Sequence, residues 1–70
     1  MEERSIGKEI ARARQRKRWT QEELARVLGV SRPTVAEWER GAQFPQRNLG
    51  AIEEALGISL DGYEPKAAAS

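Results

Sequence analysis

A chain of 70 residues has room for one small domain, near the lower size at which a core alone sustains folding. Its zero cysteines and zero histidines exclude disulfides, thiolate metal sites and the commonest general base. The net charge of +1 conceals an uneven layout: residues 1–47 carry an excess of four positive charges and residues 48–70 an excess of three negative ones, which suits a polyanionic partner without requiring one.

Met-Glu-Glu-Arg at the start lacks the pattern of a signal peptide, and no apolar run approaches the roughly 20 residues that span a bilayer. The expectation is a soluble, cytoplasmic protein with no membrane partner. In chain order, Ile6, Ile10 and Ala13 recur at helical spacing with charges between them, predicting a helix over 4–17. The basic run 12–18 is its solvated face, except for Arg14, which falls one turn beyond Ile10 and so turns inward. Thr20 and Glu23 form a capping box that opens a second helix over 21–28, with Trp19 and Leu24 placed as a hydrophobic staple and Gly29 as its stop. Leu24, Ala25 and Leu28 are its expected inward face.

After Val30, Ser31 caps a third helix of about 32–40. Pro33 falls in its first turn, where a missing N–H removes no intrahelical bond. Val35 and Trp38 face inward, and Gly41 ends it. GAQFPQ (41–46) is a loop. Leu49, Ile52, Ala55 and Leu56 trace a fourth helix closed by Gly57, with Ile58 and Leu60 adding a last apolar contact. Gly62 and Pro65 allow one further turn at most. The expected organisation is a domain over 1–62 and a flexible C-terminal tail over 63–70.

Two short helices joined by about three residues, a glycine among them, make a helix-turn-helix. The stretch TQEELARVLGVSRPTVAEWERG (20–41), with the ALG finish of helix 4, resembles the XRE-type family of phage repressors and Cro proteins. The resemblance runs from Ile6 to about Ile58. It implies an all-α, compact four- to five-helix bundle of the lambda repressor-like kind, binding operator DNA.

A major groove about 12 Å wide admits one α-helix. The resemblance places Arg32, Pro33, Thr34 and Glu37 at base edges. Arg32 suits a bidentate contact to guanine, Thr34 a hydroxyl or methyl contact, and Glu37 a cytosine amino group or the exclusion of wrong sites. Pro33 replaces a polar residue usual in the family, and leaves van der Waals contact to a thymine methyl. Gln21 is the implied contact to a phosphate and to the neighbouring reader, and Arg40, Gln43 and Arg47 are the further implied phosphate contacts, with Arg47 placed to enter the minor groove. Arg14 and Glu39 are the implied partly buried ion pair between helices 1 and 3, assigned to structure.

Plainer roles compete with each of these: taken singly, Gln21 is a plain helix starter and Arg40, Gln43 and Arg47 are surface residues. Trp19 and Trp38 sit at staple and core positions, not as stacking platforms for bases. Glu22–Glu23 and Glu53–Glu54 are sequence neighbours about 100° apart on a helix, so neither is a catalytic pair. The expected protein is thus no enzyme, needs no cofactor or metal, and regulates transcription by binding double-stranded operator DNA, most simply as a repressor. It is expected to be a monomer or weak homodimer that pairs on DNA. The alternative is an antitoxin-like or adaptor module with a protein partner.

Overall fold

The computed structural model describes residues 5–63. Among these it holds four helices and no strand: α1 (Ile6–Arg16), α2 (Gln21–Leu28), α3 (Arg32–Glu39) and α4 (Leu49–Leu56). The expected 4–17 span of α1 shortens to 6–16, because Ser5 takes the extended N-cap conformation and accepts a hydrogen bond from the Lys8 amide. The expected reach of α3 to residue 40 shortens by one for a similar reason, since Arg40 already stands as its C-cap. The capping box on α2 is complete: Thr20 Oγ1 accepts from the Glu23 amide at 3.0 Å, and Glu23 Oε1 accepts from the Thr20 amide at 2.7 Å.

All four helices leave by the same closing bonds. The residue two past the final turn reaches back five positions, as Trp19 N to Arg14 O, Val30 N to Ala25 O, Ala42 N to Glu37 O and Ile58 N to Glu53 O. That geometry needs a left-handed residue before the donor. Three helices supply Gly29, Gly41 and Gly57, but α1 supplies Arg18 at φ 62°. A side chain in this region costs about 1–2 kcal/mol. Arg18→Gly is therefore expected to stabilise the domain by about 1 kcal/mol, read as a rise in the urea midpoint; an unchanged or lower midpoint would contradict it.

The core forms where the inward faces meet. Ile10, Leu24, Val35 and Ile52, one from each helix, are fully buried, and Ala13, Ala25, Trp38, Leu56 and Leu60 pack around them. Full burial of each large aliphatic stabilises by about 1.5–3 kcal/mol. Leu28, expected inside, is half-buried beside this core, as are Trp19, Val30 and Leu49. Helices α2 and α3 share the most extensive contact, α1 crosses α3, and α4 underlies α1 and α2.

Two details hold the bundle closed. Gly7 sits where α1 crosses the end of α3, so close that a Cβ there would lie 2.4 Å from the Trp38 carbonyl oxygen and 2.6 Å from that of Glu39. Beyond α4, Glu53 Oε2 accepts from the Leu60 amide at 2.7 Å, which seats Leu60 in the core. Tyr63 packs against the core edge, and residues 64–70 of the expected tail lie outside the described residues.

Candidate nucleic-acid interface

The joint between α2 and α3 is only Gly29, Val30 and Ser31. So short a link forbids antiparallel packing and turns the start of α3 away from the bundle. Ser31 Oγ accepts from the Thr34 amide at 3.3 Å, and Pro33 fixes φ in the first turn, so the leading end is held rigidly. Arg32 and Pro33 are exposed there; Thr34 and Glu37 are half-buried behind them. The Thr34 hydroxyl shares a 2.8 Å hydrogen bond with that of Ser31, which engages the hydroxyl and leaves the methyl as the more available contact.

The other predicted residues fall into two groups. Gln43 and Arg47, both exposed, line a surface cleft with Thr34, Trp38, Phe44 and Asn48, so the loop after α3 comes round beside the front half of that helix. The fully buried Pro45 anchors this loop. Arg40 is exposed at the opposite end of α3 and does not line the cleft.

Gln21 belongs to a buried-to-exposed chain of side chains. Arg14 Nε donates to Glu39 Oε2 at 2.7 Å, Arg14 Nη2 to Glu39 Oε1 at 3.0 Å, and Arg14 Nη1 to the Trp19 carbonyl at 2.7 Å. The two side chains are 12% and 9% exposed. The hydrogen bond to Glu39 raises the Arg14 pKa above the ordinary arginine range, against the opposing effect of burial. A raised cation stabilises the fold at every pH below the unfolded value and stops doing so only as pH climbs through the folded one. On the arginine side, this pair is therefore insensitive to pH across the neutral range.

Glu39 Oε1 also accepts from Gln21 Nε2 at 3.0 Å, and Gln21 Oε1 in turn accepts from Arg32 Nη1 at 3.3 Å. The ion pair assigned to structure alone is thus joined to the exposed front of α3 through Gln21. The contact between Gln21 and the reader Arg32 is the one the resemblance implies, whereas sequence pattern offers no signal for the bond between Gln21 and Glu39, 18 residues apart. No group of three or more acidic side chains among the described residues is arranged to hold a metal ion, and no described helix is long and apolar enough to cross a membrane.

The profile of the helix-turn-helix family matches residues 10–63. Among curated proteins, the chain is 41% identical over 59 residues to multiprotein-bridging factor 1 of Candida albicans, covering 83% of this chain and 39% of that protein. It is 39% identical over 59 residues to the protein of the same name in Debaryomyces hansenii, with the same coverage. Endothelial differentiation-related factor 1 of Homo sapiens is 38% identical over 60 residues, covering 84% of this chain and 40% of that one. The chain therefore spans about two-fifths of the length of these curated relatives. They are fungal and animal proteins, whereas the sequence motifs point to phage repressors. No solved structure gives a significant match.

Proposed function

The chain belongs to the helix-turn-helix family of the XRE type, and we propose that it is a sequence-specific double-stranded DNA-binding regulator that lays the front of α3 in the major groove. The observation that carries this reading is the exposed, rigidly capped leading end of α3, with Arg32 at its tip. Arg32 donates to the O6 and N7 of a guanine, while Pro33 and the Thr34 methyl touch neighbouring bases. Glu37, one turn on, accepts from a cytosine amino group or repels phosphates at wrong sites. Gln21, Arg40, Gln43 and Arg47 meet the backbone on either side. Phosphate contacts set affinity and register; base contacts set sequence. No bond is made or broken. The simplest regulatory consequence is repression, by occupying an operator that polymerase needs, with two copies on half-sites about one helical turn apart.

Selection of duplexes from a randomised pool tests the base-reading role. The wild-type protein is expected to recover one motif, and Arg32→Ala to relax a single position in it by about 1–3 kcal/mol. An equal loss on every sequence would show Arg32 to be a phosphate contact only.

A second reading is an adaptor that binds a protein, favoured by the name "multiprotein-bridging factor" that the fungal relatives carry. The same selection separates the two. An adaptor would retain duplexes weakly and recover no motif.

A further inference from the structure

We propose that Arg18, in the turn between α1 and α2, is a further DNA contact that grips a backbone phosphate beside the one Gln21 meets. This inference rests on the duplex-binding role of α3 proposed above.

Among the described residues, Arg18 alone combines a side chain with a left-handed backbone, at φ 62°. Gly29, Gly41 and Gly57 fill the corresponding place after α2, α3 and α4, where the closing bond is the same. A Cβ makes this conformation unfavourable, and glycine adopts it freely. The turn itself therefore gives no reason for a long side chain. Retained strain of this kind clusters at functional sites, so the reason is sought in what the guanidinium can reach.

The neighbouring cations are already committed. Arg14 is bound to Glu39 and to the Trp19 carbonyl. Lys17 Nζ stands 5.5 Å from the centre of the Trp19 ring, within cation–π range. Arg18 is exposed, and among the described residues its guanidinium has no hydrogen bond or ion pair. Its planar fork of five donors suits phosphate oxygens.

Place and rigidity favour the same ligand. Gln21 lies three residues further on and accepts from Arg32 at 3.3 Å, which ties the end of this turn to the front of α3. Three residues of chain span at most about 11 Å, so Arg18 and Gln21 reach neighbouring phosphates of one strand. Trp19, directly after Arg18, is clamped at both ends. Its amide donates to the Arg14 carbonyl at 3.1 Å, and its own carbonyl accepts from Arg14 Nη1 at 2.7 Å. Arg18 is thus carried on a fixed backbone, and less freedom is lost on binding. A contact of this kind adds affinity without sequence preference.

Titration of a selected duplex between about 50 and 200 mM salt compares the wild-type protein with Arg18→Gly, Arg18→Lys and Lys8→Ala. For each copy bound, Arg18→Gly is expected to flatten the slope of log affinity against log salt by about 0.9, the loss of one phosphate contact. Its affinity defect is then roughly three- to fourfold larger at the low-salt end than at the high-salt end. Single-base variants of the duplex are expected to show the same defect. Arg18→Lys keeps the charge and is expected to keep the slope. Lys8→Ala removes one charge beside Gly7, where α1 meets the far end of α3, and is expected to leave the slope near wild type. Because Arg18→Gly relieves strain, its urea midpoint rises while its affinity falls, a combination that loss of fold cannot produce.

An Arg18→Gly slope equal to the wild-type slope would overturn the contact and leave Arg18 a strained surface residue. So would a Lys8→Ala slope flattened as much, since the effect would then belong to net charge. In both cases the wild-type protein still binds its duplex, and the role of α3 stands. A wild-type protein that held no duplex would remove both.

Discussion

Gly7→Ala is expected to destabilise the domain by about 3 kcal/mol, even though alanine is the better helix former. The new Cβ would lie 2.4 Å and 2.6 Å from the carbonyl oxygens of Trp38 and Glu39. Both are backbone atoms at the end of α3, and no side-chain rotation relieves the clash. The helices must separate, loosening the contact that buries Ile10 and Trp38 and stretching the Arg14–Glu39 pair. Overpacking costs about 1–3 kcal/mol and occasionally more; contact with two rigid backbone oxygens puts this case above that range, so that about 3 kcal/mol remains after an offset of about 1 kcal/mol from the better helix propensity. A domain of this size is stable by about 4–10 kcal/mol, so a loss of about 3 kcal/mol removes a large fraction of its stability and lowers the urea midpoint accordingly. Gly50 gives the matched control. It lies in α4 with nothing within 4 Å of a Cβ, and Gly50→Ala is expected to stabilise by about 0.4–1 kcal/mol. Urea midpoints that moved in the same direction for both variants would refute the close approach at Gly7.

Glu39→Ala is the second large effect, at about 3–5 kcal/mol of lost stability. The cost arises less from the lost attraction than from Arg14, which stays charged with 12% of its side chain exposed and two of its hydrogen bonds gone. Removing both partners is different. Arg14→Met with Glu39→Leu replaces two desolvated charges by apolar groups of similar volume, and is expected to be within about 1 kcal/mol of neutral. A single substitution as mild as the double one would mean that the pair is more hydrated than its burial indicates.

These two effects mark what sequence can and cannot reveal. The boundaries of α2 and α3 are legible because their signals are local: Thr20 and Glu23 satisfy each other three residues apart, and Ser31, Pro33 and Gly29 act on their own backbones. The core is legible for the same reason, since Ile10, Leu24, Val35 and Ile52 repeat at helical spacing within single segments. Gly7 gives no such signal, because a close approach between α1 and the end of α3 has no sequence period. Nor does the left-handed Arg18, which occupies a place the other three helices give to glycine. The inward turn of Arg14 follows from the spacing, but the hydrogen bond that carries its influence on to Gln21 and Arg32 exists only once α2 and α3 have crossed. For the candidate interface, the exposure of Arg32 and Pro33 at the start of α3 is readable, whereas the grouping of Thr34, Gln43 and Arg47 around one cleft depends on how the loop anchored by Pro45 folds back.

Methylation of the selected duplex with dimethyl sulfate bears most directly on α3 in the major groove. The reagent attacks guanine N7 in the major groove and adenine N3 in the minor groove, so one reaction reports on both. Bound wild-type protein is expected to shield a guanine N7 in each half-site, and Arg32→Ala to leave that N7 open while still occupying the DNA. Guanines equally reactive with and without protein, or shielded alike by the alanine variant, would contradict an arginine-led helix in the groove.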